Sequence, residues 1–73
     1  MDQLKVHFGK RLQTLRTAQE ITQEKLADTI DLTVKSVSNI EHGIHAPKFD
    51  NLEKIAFALQ VPVKELFDFD DES

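Results

Sequence analysis

The sequence predicts an all-α domain of five helices packed into one compact unit. Three observations carry this. Apolar residues recur at intervals of three and four, as on one face of a helix. Residues that start and stop helices bracket each apolar run. No segment alternates apolar and polar side chains in the manner of a half-buried strand. With 73 residues, 40% of them hydrophobic and 30% charged, the chain has the balance of a small globular domain.

Helix 1 is expected over about residues 3–18. Leu4, Phe8, Leu12 and Leu15 form its stripe, while Lys5, Lys10, Arg11 and Gln13 occupy other faces. Gly9 lies inside it, at a cost of roughly 1 kcal/mol relative to Ala, which close packing of another element would explain. Thr22 is a good N-cap for helix 2, about 23–30, whose stripe is Leu26, Ala27 and Ile30. Asp31 and Leu32 form a turn, and Thr33 is a second N-cap. Helix 3 follows over about 34–42, with Val37 and Ile40 facing inward and Gly43 as a left-handed stop. Pro47 helps close the next loop. Asp50 and Glu53 have capping-box spacing, and Leu52, Ile55, Ala56 and Leu59 give the stripe of helix 4, about 49–59. Pro62 suits the first turn of a short helix 5, about 63–67, burying Leu66 and Phe67. Phe8 and Phe57 fall on helical stripes, Phe57 off the tightest line, and are read as core residues.

Composition removes several function classes. There is no cysteine, so disulfides, thiolate metal sites and cysteine nucleophiles are excluded. No apolar run approaches the roughly 20 residues that span a bilayer, and the first residues lack the pattern of a signal peptide; a cytoplasmic protein is expected. His7, His42 and His45 are joined by no pattern of further ligands, so no metal and no cofactor are expected. No nucleophile has a plausible base partner, which argues against an enzyme. The net charge of −4 is unevenly spread. Residues 1–67, the expected domain, hold nine Lys/Arg and nine Asp/Glu; the tail at 68–73 carries the whole surplus of acid. A neutral domain can still present a basic face, and the tail is expected to limit non-specific attraction to polyanions.

Two short helices joined by about three residues, each opened by Thr, are the local signature of a helix-turn-helix at about 22–41. Small Ala27 lets the second helix cross closely. With Val37 and Ile40 turned inward, Val34, Lys35, Ser36, Ser38, Asn39 and His42 must point out. Donors, an amide, hydroxyls and one apolar group are what base-pair edges and phosphates require.

Three stretches now stand in order: Phe8-Gly9-Lys10-Arg11-Leu12 with Leu15-Arg16, then Thr22 through Ala27, then Val37 through Gly43. Pro47 to Leu59, Val61 and Glu65-Leu66-Phe67 continue the pattern. Together they resemble the Cro and phage-repressor family, also called the Xre family, over about residues 8–67. The resemblance implies a lambda-repressor-like fold and a regulator of transcription, a repressor acting as a homodimer on a palindromic operator in double-stranded DNA. It implies that Gln23 and Thr33 contact phosphates and that Val34, Lys35 and Asn39 face base edges. Ser38 is assigned to the bases, and Ser36 and His42 to phosphates, although His42 near the helix end equally suits capping carbonyls. Arg16 and Glu41 match an ion pair tying helix 1 to the recognition helix.

The sequence departs from the family pattern at Asp31, where Gly is usual in the turn, at Lys48, where a small N-cap is usual, and at Val34, a commonly polar reading position. Val34 suggests a thymine methyl as its target. One recognition helix reads only a few base pairs, so a second copy about one helical turn away is expected. Val61, Val63, Phe67 and Phe69 are the expected dimer surface, with Phe57 and Ile44 as additions. No small-molecule effector is expected. The other reading is a protein-interaction module, such as an antitoxin or adaptor, that keeps the fold without binding DNA.

Overall fold

The computed structural model describes residues 3–69. Four α-helices follow one another: α1 (Gln3–Ala18), α2 (Gln23–Ile30), α3 (Val34–Glu41) and α4 (Phe49–Leu59). A 3₁₀ segment, Val63–Phe67, completes the chain order. The expected fifth helix is therefore a 3₁₀ turn rather than an α-helix. Five residues behind Pro62 are too few for more than one tight turn, and shorter i→i+3 bonding is the usual outcome. Among the described residues no helix is long and apolar enough to cross a membrane.

The core forms where the helical stripes meet. Phe8 and Leu12 of α1, Leu26, Ala27 and Ile30 of α2, Val37 and Ile40 of α3, and Ile55, Ala56 and Leu59 of α4 are buried, together with Leu66. Leu15, Leu32 and Leu52 pack around them, partly covered. Three expected members are missing, Phe67 among them: only Leu66 of the 3₁₀ segment is buried, and Phe67 keeps about a third of its surface open because one tight turn can bury only one of two adjacent side chains. Leu4 is 59% exposed and Phe57 is 83% exposed. Leu4 sits in the first turn of α1, beside the loop after α3, where Lys5 Nζ reaches the Ile44 carbonyl at 3.4 Å. Phe57 is two helical positions away from both Ile55 and Leu59, which turns it off the buried stripe.

All four helices end by one device. The chain turns left-handed at Glu20 (φ 58°), Asp31 (φ 61°), Gly43 (φ 75°) and Gln60 (φ 59°). The next N–H then folds back onto the last turn, as Leu32 does to the Ala27 carbonyl at 2.9 Å and Val61 to Ala56 at 3.0 Å. This is the Schellman closure. Only one of the four positions is glycine, so the other three carry the steric cost of a Cβ in that region, about 1–2 kcal/mol each. Gln19 adds a cap from outside, donating its Nε2 to the Leu59 carbonyl at 2.7 Å.

The starts of the helices differ. Thr22 and Thr33 both accept a backbone N–H, from Lys25 and Ser36, each at 3.0 Å. The expected capping box at Asp50 and Glu53 is not used. Helix α4 begins at Phe49, as its expected bounds have it, behind Lys48, which makes no side-chain cap. Asp50 instead lies in the first turn, where its charge favours the helix dipole.

Gly9 allows α1 to touch α3. A Cβ there would lie 2.4 Å from the Ile40 carbonyl oxygen and 2.6 Å from that of Glu41. Both are backbone atoms and cannot swing aside. Gly9→Ala is therefore expected to lower stability despite its better helix propensity, because overpacking of this kind costs about 1–3 kcal/mol and must also shift α3. Gln60→Gly is expected to do the opposite, raising stability by up to about 1 kcal/mol through relief of the left-handed strain. Urea unfolding of both variants against wild type measures the two signs.

Candidate nucleic-acid interface

Helices α2 and α3 are joined by Asp31, Leu32 and Thr33. Asp31 supplies the left-handed residue, Leu32 folds inward between the helices, and Thr33 starts α3 again. The Thr33 hydroxyl is fully engaged by this start. It accepts the Ser36 N–H and donates to Ser36 Oγ, each at 3.0 Å. What Thr33 presents to an anion is thus a well-formed helix N-terminus. The Val34 and Lys35 N–H groups lie ahead of the first intrahelical bond, which runs from the Val37 N–H to the Thr33 carbonyl at 3.1 Å.

Helix α3 divides as its two faces require. Val37 is completely buried, and Ile40 and Glu41 are nearly so. Val34, at 41% exposure, and Lys35 face outward, while Ser36, Ser38 and Asn39 are half-buried along the sides. One ridge therefore offers an apolar group, a cation, hydroxyls and an amide. His42 turns back instead. Its Nδ1 lies 2.9 Å from the Ser38 carbonyl oxygen and 3.2 Å from Ser38 Oγ. A carbonyl only accepts, so Nδ1 carries the proton and caps the helix end.

The recognition helix is fastened from behind by a buried ionic cluster. Arg16 Nε donates to Glu41 Oε2 at 2.6 Å, and Arg16 Nη2 to Glu41 Oε1 at 3.1 Å. Arg16 Nη1 donates to the Ile21 carbonyl at 2.7 Å. The arginine side chain is 10% exposed and the glutamate 2%. A third partner was not legible in the sequence: Gln23 donates Nε2 to Glu41 Oε1 at 2.9 Å. The other arginine is also committed to the fold. Arg11 holds the 3₁₀ segment through the Glu65 carbonyl at 2.9 Å and Glu65 Oε1 at 3.2 Å. Every cation on the outer surface of the described chain is therefore a lysine or the protonated form of a histidine.

A groove between α3 and the start of α4 adds residues that sequence reasoning passed over. Ser36, His45, Lys48 and Asn51 line it above Leu32 and Ile40. The signal was present in Lys48, a cation where a small cap is usual, beside a helix N-terminus without a side-chain cap. Elsewhere, of the residues expected at a dimer surface, Val61 and Phe69 pack partly buried against the core. Phe67 packs against Phe8 with tilted rings, their centroids 5.2 Å apart, and Phe69 likewise against His7 at 5.5 Å. Val63 and Phe67 remain partly open, and Phe57 shares a shallow hollow with Val61 and Pro62. Asp70 to Ser73, most of the acidic tail, fall outside the described residues. Among those described, no group of side chains could hold a metal ion.

Residues 12–66 match the model of HTH_3, a helix-turn-helix family. The chain is 39% identical over 67 residues to control protein C.BamHI of Bacillus amyloliquefaciens, covering 90% of this chain and 83% of that protein. It is 38% identical over 68 residues to control protein C.MunI of a Mycoplasma species, covering 92% of each. A CTXφ transcriptional repressor, RstR of Vibrio cholerae, is 39% identical over 57 residues, but these are only 51% of its length. Among solved structures, the restriction-modification controller protein C.AhdI of Aeromonas hydrophila superposes with a TM-score of 0.83 at 40% identity, over 86% of this chain and 96% of that one.

Removal of one partner from the buried cluster should be costly. Glu41→Ala leaves the Arg16 guanidinium buried without its counter-charge, and is expected to destabilise the fold by about 3–5 kcal/mol. Lys35→Ala, on the outer ridge, should change stability by less than about 0.5 kcal/mol. Chemical denaturation of the two variants side by side tests the difference.

Proposed function

Because this chain belongs to the HTH_3 helix-turn-helix family of DNA-binding transcriptional regulators, we propose that it is a repressor-type controller acting as a homodimer on a palindromic operator, with α3 in the major groove. The observation that carries this reading is the outward ridge of α3, Val34, Lys35, Ser38 and Asn39, on a helix anchored from behind by Arg16 and Glu41. In this reading Asn39 and Lys35 bond base edges and Val34 meets a thymine methyl. Gln23, the helix start at Thr33 and Ser36, and His42 hold the phosphates, where a helix N-terminus favours anions. Lys48 joins them from across the groove. The work is done in the cytoplasm, at the nucleoid.

Control of a restriction-modification system is the biological setting we favour. The similarity to C.BamHI, C.MunI and C.AhdI runs along nearly the whole of those proteins, whereas the phage repressor is matched over about half of its length. A homodimer supplies the second reading helix that specificity needs. Its surface is proposed at Val61, Val63, Phe67 and Phe69, extended by Phe57, whose exposed ring lies beside Val61 and Pro62.

Selection of bound duplexes from a random pool should return a palindrome. On the selected site, Asn39→Ala and Lys35→Ala are each expected to weaken binding by about 1–3 kcal/mol and to relax preference at one base position. Unchanged affinity in both variants would remove α3 as the reader. Lys48→Ala should weaken binding equally on all sequences. With Lys48 as a phosphate cation in each subunit, this residue should contribute roughly −2 to the slope of the dimer's log K against log salt, and the Lys48 variant should lose that contribution. Sedimentation at micromolar concentration checks the dimer, which Phe57→Ala and Phe67→Ala should each weaken. A wild-type chain that stays monomeric both free and on its selected duplex would sink the dimer.

A further inference from the structure

Gln23 opens α2 beside the reading helix, and its contact partner within the protein is unusual for a surface amide. Its Nε2 lies 2.9 Å from Oε1 of Glu41, the same oxygen that accepts Arg16 Nη2 at 3.1 Å. Glu41 is the last residue of α3, and its side chain is all but sealed from water. A carboxylate held by a guanidinium has only acceptors to offer. The amide of Gln23 must therefore turn its nitrogen inward; the reverse orientation would set two oxygens against each other.

This fixes the chemistry of the outer side. One N–H of the Gln23 amide is spent on Glu41, and the second N–H is directed away from the carboxylate, on a half-exposed side chain. A phosphate oxygen can be met only by a donor. An amide free to rotate would present its carbonyl oxygen half of the time, and that end repels phosphate. The charge of Glu41 does not offset the gain, because Arg16 neutralises it at 2.6 Å on the far side.

We propose that Glu41 is the positioning residue for the phosphate contact of Gln23, holding one N–H of its amide nitrogen so that the second N–H of the same nitrogen is set as the donor before DNA arrives. The proposal rests on the reading above in which Gln23 meets a phosphate. Arg16 holds Glu41, Glu41 holds the Gln23 amide, and Gln23 holds the DNA backbone. Helix α1 is thereby joined to the register of the protein on the duplex. The ion pair acts in binding as well as in stability.

A double-mutant cycle separates this role from a structural one. Affinity for a mixed-sequence duplex at low salt is measured for wild type, Gln23→Ala, Glu41→Gln and the double variant, each shown to be folded by circular dichroism at the assay temperature. Glu41→Gln keeps the shape of the side chain and an acceptor for Arg16, but offers Gln23 either end of an amide. It should lower affinity roughly three- to tenfold, the worth of one hydrogen bond, when Gln23 is present, and by less than about twofold when residue 23 is Ala. An equal loss in both backgrounds, or no loss in either, overturns the positioning role. A Gln23→Ala variant that binds as tightly as wild type overturns the phosphate contact itself, a separate failure. Should Glu41→Gln not fold, the wild-type protein still decides the matter. The side-chain NH₂ of Gln23 should show two well-separated proton resonances with slowed exchange in the free protein, and resonances typical of a solvated amide overturn the proposal.

Discussion

The carboxylate of Glu41 accepts three hydrogen bonds where water does not reach, and the position of the reading helix depends on them. Two come from Arg16 on α1 and one from Gln23 at the head of α2. Buried ion pairs repay their desolvation only when their remaining donors and acceptors are also satisfied. That condition is met here. The third guanidinium nitrogen reaches the Ile21 carbonyl, and no buried side-chain nitrogen or oxygen among the described residues lacks a partner. The cluster therefore works as a fixed joint between three helices rather than as a source of net attraction.

The same joint explains why Gly9 stands opposite it. The hydrogen bonds pull the end of α3 toward α1, and the carbonyls of Ile40 and Glu41 arrive where a Cβ would otherwise sit. A residue with poor helix propensity is tolerated because the close approach it permits lets Arg16 reach Glu41 with short bonds. Stability is given up locally at Gly9, and again at the left-handed Glu20, Asp31 and Gln60, to hold the helices in one arrangement. Such local conflicts recur where geometry rather than stability is under demand.

Charge is divided along the same lines. Both arginines are committed to the interior, Arg16 to Glu41 and Arg11 to Glu65. The outer cations are lysines, whose compact and mobile ammonium groups suit phosphate better than planar recognition of a base. In a chain with thirteen acidic and nine basic side chains, affinity cannot come from a broad basic field. In the proposed docking, attraction to the duplex is local, at helix ends and at Lys48, and discrimination falls to the outward side chains of α3.

Much of this was legible without coordinates. The bounds of α1, α2 and α4, the caps at Thr22 and Thr33, the turn at Asp31 and the inward placement of Val37 and Ile40 all follow from periods of three and four and from local hydrogen-bonding chemistry. Those rules act within one or two turns of the chain, so one sequence is enough to read them. Helix crossing decided the rest. Gln23 turns to Glu41 across 18 residues, Arg11 reaches Glu65 across 54, and Gly9 faces the backbone of α3. The exposure of Leu4 and Phe57 belongs with these, since a stripe is buried only where another helix comes to cover it. Period and propensity carry no information about where two helices touch. That is set by the summed packing of side chains distant in the sequence, and it decided which way the Gln23 amide points.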